Sequence, residues 1–168
     1  MEQIMVGTSR AVAIRASLFA AALVLMAGLS WAADTPAVEP AADKLSQARS
    51  HIQAKRWSAA IEELKRVNAS ASADWNNLMG YSLRKQATPD LDGAERFYNE
   101  ALRIDPRHRG ALEYSGELYL MKGDLARAEQ RLAALDKACT FGCEEYTDLK
   151  NAVARFKAAG NKFVAAPQ

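Results

Sequence analysis

The sequence predicts an all-α fold, a short solenoid of three helical hairpins followed by a C-terminal capping helix. Three observations predict it. Apolar residues recur at helical spacing on both sides of polar turns, as in Ala73 to Pro106, where two such segments flank a turn at Gln86 to Pro89. Small residues, Gly80 and Ala94, stand where those two helices must cross, because axes about 8 to 10 Å apart leave no room there for bulk. The pattern also recurs: a shift of 34 residues lays Trp57, Ala60, Leu64 and Val67 over Leu91, Ala94, Tyr98 and Ala101, and these over Leu125, Ala128, Leu132 and Leu135.

A 34-residue period built from helix pairs resembles the tetratricopeptide repeat family, over about Ala41 to Leu135. The third copy carries the pattern best, with Leu112, Gly116, Tyr119, Gly123, Leu125, Ala128, Leu132 and Leu135 at the family's apolar and small positions. The first copy has Ala48 in place of the glycine and no closing proline. The second is two residues longer between Gly80 and Ala94 than the third is between Gly116 and Ala128, and the extra length falls in the turn. The resemblance implies a right-handed α-solenoid of tetratricopeptide-like hairpins.

Composition is compatible with one folded domain. Of 168 residues about half are apolar and a quarter charged, enough for one core. A net charge of +2 points to no nucleic-acid partner, and two cysteines and two histidines are too few for a zinc module. No cofactor or metal is expected.

Residues 1–32 read as a secretory signal. Arg10 and Arg15 precede the uncharged run Leu18 to Ala27, and Ser30 and Ala32 supply the small side chains for cleavage after Ala32. The alternative is an uncleaved anchor, since Ala16 to Ala33 approaches the roughly 17 to 25 residues that span a bilayer. Either way the positive flank stays inside and the remainder is exported. Residues 33–41, with Pro36 and Pro40, form a flexible linker.

The repeat domain is expected over 42–159. The first hairpin covers about 42–72: Leu45, Ala48 and Ile52 line one helix, Ala60, Ile61 and Leu64 the next, and Trp57 at the turn packs the hairpin's base, with stacking against a ligand as the alternative. Ser72 or Asp74 is placed to cap the next helix. In the second hairpin, 73–106, Thr88 reads as a cap with Pro89 at the first helical position and Asp90 favourable to the helix dipole. The third, about 107–138, opens with the basic connector Arg107 to Gly110, expected as a solvated loop or a contact for an acidic partner. Its turn is Met121 to Asp124, where Gly123 takes positive φ.

Cys139 and Cys143 come next. In an exported protein two cysteines four apart read most simply as a structural disulfide, with free thiols and a redox or metal role as alternatives. The spacing is neither the C-x-x-C of thiol oxidoreductases nor that of haem attachment. Tyr146, Leu149, Val153 and Phe156 then give a capping helix over about 144–158, which an open solenoid end needs. Residues 160–168 are expected as a flexible tail.

The resemblance places a partner site in the concave groove lined by the first helix of each hairpin. Carried over by position, it implicates Arg49 and Gln53, then Asn77, Tyr81, Arg84 and Lys85, then Glu113, Glu117 and Met121. Asn77 matches one position of the family's carboxylate clamp, but Arg49 stands where that clamp has an asparagine. No catalytic residues are expected, because no Ser/His/Asp cluster, metal-spaced histidines or glycine-rich phosphate loop is present. The function expected is a non-catalytic scaffold in the cell envelope, periplasmic or otherwise exported, binding a peptide or helix of another protein. An alternative is an assembly factor or structural subunit of an envelope complex such as a pilus or secretion machine. Another is a thiol-disulfide protein acting through Cys139 and Cys143. After signal cleavage no membrane insertion is expected.

Overall fold

The structure, a computed structural model, describes residues 43–165. The signal and linker expected for 1–41 lie outside them. The described residues form seven helices: α1 (Ser46–Gln53), α2 (Trp57–Val67), α3 (Ala73–Lys85), α4 (Leu91–Ile104), α5 (Arg109–Met121), α6 (Leu125–Ala138) and α7 (Glu144–Ala158). They pair as hairpins α1–α2, α3–α4 and α5–α6, with α7 against α5 and α6. The all-α solenoid predicted from the 34-residue period is what the described residues form.

Polar side chains begin the helices. Ser72 Oγ accepts from the Trp75 amide at 3.3 Å, Asp90 from Gly93 at 2.8 Å and Asp124 from Arg127 at 2.9 Å, each satisfying a first-turn N–H with no helical partner. The cap of α4 is therefore Asp90 and not Thr88, and Pro89 precedes the helix. Asp90 prevails because its carboxylate reaches the first-turn amide of Gly93, three residues on.

The crossings are close where the sequence is small. A Cβ on Gly80 would lie 2.9 Å from the Tyr98 ring and 3.1 Å from the Ala94 carbonyl, so α3 meets α4 backbone to side chain. A Cβ on Gly116 would lie 2.5 Å from Leu149, which seats α7 on α5. Gly123, at φ 76°, closes the α5–α6 turn.

Packing joins nearest neighbours. Instead of a single core, two buried clusters form, one from Leu45, Ala48, Ile61, Leu64, Trp75, Leu78 and Met79, the other built on α4 to α7 around Tyr98, Leu118, Leu135, Leu149 and Phe156. Leu83 touches both. Because each hairpin of a solenoid contacts only its neighbours, buried area accumulates along the stack. Trp75 joins α2 to α3: its indole N–H donates to the Leu64 carbonyl at 2.8 Å, and its ring meets Phe97 edge-on.

The basic connector keeps Arg107 and Arg109 exposed, as expected of a solvated segment, but its side chains also make contacts within the fold. Arg107 donates to the Lys137 and Ala138 carbonyls at the end of α6, both at 3.3 Å. His108 Nδ1 accepts from the Ala111 amide at 3.1 Å and so caps α5, while Nε2 lies 2.9 Å from Asp74 on α3. Arg109 reaches Glu145 at 3.6 Å. Three adjacent basic residues thus tie together α3, α5, α6 and α7.

Cys139 and Cys143 bracket the α6–α7 turn with Cα atoms 5.7 Å apart, a span that a disulfide bridges, and their sulfurs lie at bonding distance. Gly142, at φ 83°, supplies the left-handed residue that brings the chain around. Phe141, at the turn's tip, is 98% exposed.

Candidate functional site

Helices α1, α3, α5 and α7 present their inner faces to one cavity of about 830 Å³. The α1–α2 corner gives it Ile52, Gln53, Lys55 and Trp57, α3 gives Tyr81, Arg84 and Lys85, and α5 gives Glu117 and Met121. Ala152, Arg155 and Phe156 of α7 and the segment Phe163 to Ala165 complete the lining. This is the volume range of a site that takes a side-chain-rich ligand, with apolar walls and few polar groups.

Of the nine groove residues expected from the sequence, six line this cavity: Gln53, Tyr81, Arg84, Lys85, Glu117 and Met121. Three do not. Arg49 turns to Asp74 at 3.1 Å and Asp43 at 3.5 Å. Asn77 is buried between α3 and the start of α5, with its Nδ2 3.0 Å from where a Cβ on Gly110 would sit, and its Oδ1 has no hydrogen-bond partner. Glu113 is buried too, facing the acidic start of α7. Burial, and then the carboxylates of Glu117, Asp148 and Glu145, push its carboxyl up to about 8.

Arg84 is the structural centre of the groove. Only 6% of its side chain is exposed, and it pairs with Glu117 at 2.8 Å. Its Nε donates to the Tyr98 hydroxyl at 3.4 Å, and the guanidinium lies 5.5 Å from the Tyr81 ring and 5.6 Å from Tyr114. Burial opposes its charge, but Tyr98 and Glu117 outweigh burial and hold it above the ordinary arginine range. Burial also raises the Tyr98 and Tyr114 hydroxyls. The rings of Trp57, Tyr81 and Tyr114 form a ladder, 5.9 and then 4.6 Å between centroids.

Trp57, expected at the base of its hairpin with ligand stacking as the alternative, is half-buried, stands edge-on to Tyr81 and lines the cavity. The α7 residues were missed. Arg155 lies 34 residues after Met121, so the repeat offset carried one step further would have found it. As a result α7 both closes the end of the stack and supplies a fourth inner face. The lining cations Lys55, Lys85 and Arg155 form no ion pair among the described residues, and the buried Nε of Arg155 has no hydrogen-bond partner. No group of three His, Cys, Asp or Glu side chains among the described residues is placed to hold a metal ion.

Comparison with known proteins agrees with this fold. The tetratricopeptide repeat family model matches residues 89–153, from the turn before α4 into α7. In structure the chain is similar to the type III secretion translocator chaperone SycD of Yersinia enterocolitica, with a TM-score of 0.61 at 18% identity over 70% of this chain and 83% of that one. It is also similar to SycD in complex with a peptide of the translocator YopD, with a TM-score of 0.57 at 19% identity over 69% and 88% of the two chains. Among curated proteins none matches the chain's sequence. At these identities the structural likeness is one of fold. Residues 89–153 are tetratricopeptide repeat sequence, and α1 to α7 form a tetratricopeptide-type helical solenoid.

Proposed function

We propose that this chain is a non-catalytic scaffold that binds an extended segment or helix of another protein in its concave groove. The observation that carries the reading is the cavity itself. It is built from the inner faces of four helices, walled by Ile52, Trp57, Tyr81, Met121 and Phe156, and edged by cations without an internal partner. Apolar walls accept side-chain anchors and the cations select for carboxylates beside them, which is how helical grooves recognise peptides. The peptide-bound form of SycD, a similarly folded chaperone, supports the reading.

In this reading the scaffold works in the cell envelope, after export, and the support for that location is the apolar run and the cleavage-site residues of the first 32 positions. An assembly factor for an envelope complex, such as a pilus or secretion machine, is the form of the proposal closest to the chaperone fold. Cys139 and Cys143 do not line the groove, so in this reading they form a structural disulfide that holds the α6–α7 turn.

A photo-crosslinking amino acid at Gln53 or Lys85, compared with one on the outer helices at Glu62 or Arg96, tests the groove. The expected result is a single envelope protein trapped from the groove positions and absent from the outer ones. Trapping from the outer positions alone would move the site to the convex face.

A further inference from the structure

The described segment after α7, to Ala165, turns back at the helix end while its side chains stay exposed. Gly160, at φ 68°, and Asn161, at φ 61°, are consecutive left-handed residues. The Gly160 amide donates to the Lys157 carbonyl at 3.1 Å and the Asn161 amide to Phe156 at 3.0 Å, closing the helix end and reversing the chain. Phe163 to Ala165, part of the segment expected from the sequence as a flexible tail, lie along the groove. Phe163, Val164 and Ala165 line the same cavity as Trp57, Tyr81 and Met121. Phe163 is 43% and Val164 49% exposed, and neither belongs to a buried cluster. They are laid against a wall without being built into the core.

The segment meets only half of what the cavity offers. Its apolar side chains cover apolar wall, but Lys162 to Ala165 contain no carboxylate to pair with Lys55, Lys85 and Arg155 of the lining, and Lys162 gives the segment a positive charge of its own. An occupant that leaves the cations unpaired is held mainly by its tether, which keeps its local concentration high without strong contacts.

We propose that Lys162 to Ala165 is an internal, displaceable occupant of the groove, competing with the partner, and that the partner displaces it by presenting carboxylates beside an aromatic or aliphatic anchor. This rests on the reading of the groove as a peptide site. The tail then sets a threshold: an apolar segment alone competes poorly with the tethered one, and a segment that also neutralises the cations prevails. If the tail fills the groove nine times in ten, apparent affinity for any competitor falls about tenfold.

The test uses the full chain and two labelled synthetic peptides, one with the chain's own residues 161–168 and one with glutamate in place of Lys162. Binding by fluorescence anisotropy is compared between the natural chain and a Phe163→Ser, Val164→Ser variant, with thermal melts confirming that both are folded. The variant is expected to bind the first peptide at least about tenfold more tightly than the natural chain. The glutamate peptide is expected to bind the variant more tightly still, with the difference shrinking in high salt. Adding Met121→Glu to the variant is expected to abolish the gain, which locates the peptide in the groove. Equal affinity for the natural chain and the variant, or no binding to either, overturns the proposal. If crosslinks from Gln53 and Lys85 still trap a partner in that case, the groove reading survives and the tail proposal alone falls.

Discussion

The Arg84 guanidinium and the Glu117 carboxylate meet at 2.8 Å across the step from α3 to α5, and they differ sharply in burial, with 6% of the Arg84 side chain exposed against 24% of Glu117. The floor of the groove is therefore an ion pair that links two hairpins. It is as much a part of the packing as of the binding surface.

That asymmetry sets the order of substitution effects. Glu117→Leu leaves a buried cation without its carboxylate and is expected to cost roughly 3 kcal/mol or more. Arg84→Met leaves a carboxylate that water reaches, at an expected cost under about 2 kcal/mol. The double variant should be more stable than Glu117→Leu alone. Urea denaturation of the three variants measures this, and the reverse order of the single changes would mean that the pair does not govern the step.

Glu113 makes stability depend on pH. Its folded carboxyl holds its proton up to about 8, against 4.5 for the ordinary group. Between those values the folded state binds more protons than the unfolded chain, so stability falls as pH rises. The contribution is complete below about pH 4.5 and lost above about 8. Glu113→Gln should match the natural chain at pH 5 and exceed it by at least about 1 kcal/mol at pH 8. Parallel stability profiles from pH 5 to 8 would show that Glu113 is not held protonated.

At the α3–α4 crossing, Gly80→Leu and Ala94→Leu should each cost at least about 1 to 3 kcal/mol through overpacking. The Tyr98 ring and the Ala94 carbonyl already stand within 3.1 Å of where a Gly80 Cβ would lie. A neutral result in thermal melts for either change would show that the crossing gives way.

His108 works with both ring nitrogens. Because Nδ1 accepts from the Ala111 amide, the ring proton sits on Nε2 and donates to Asp74. His108→Ala loses the cap and the link to α3 together, at roughly 1 kcal/mol or somewhat more, and His108→Asn should recover most of the cap. Equal stability of the two variants would place the effect in the Asp74 contact alone.

For Cys139 and Cys143, alkylation of the purified protein before and after reduction, read by mass spectrometry, should show both sulfurs blocked until reductant is added. Two alkylated thiols before reduction would remove the disulfide. Replacing both cysteines by serine should cost roughly 2 kcal/mol, the amount expected for so short a loop.

Much of the fold was legible because it is periodic. The 34-residue offset of Ala60, Ala94 and Ala128 marks the second helix of each hairpin, and all three are fully buried. The family resemblance, once the two extra residues of the α3–α4 turn are allowed for, gives the inner face of each hairpin's first helix, and Gln53, Tyr81, Arg84, Lys85, Glu117 and Met121, expected from it, line the cavity. It gives no depth. Asn77 and Glu113 share the inner helices with those residues but fall where neighbouring helices close over them, and Arg84 lies under the aromatic ladder. For Trp57 the sequence left two readings open, because a hairpin corner belongs equally to the packing behind it and the groove in front.

By itself, the sequence determined that this chain is an all-α repeat with small residues at its crossings, since local spacing and side-chain size are properties of the chain alone. Tertiary structure decided the rest. It turned the basic connector into a clamp of capping and carbonyl contacts, buried Glu113 among carboxylates, brought α7 in as a fourth wall and folded Phe163 to Ala165 back over the cavity. Each of these depends on groups far apart in sequence whose distances are set only when the hairpins stack, and no local pattern carries that information.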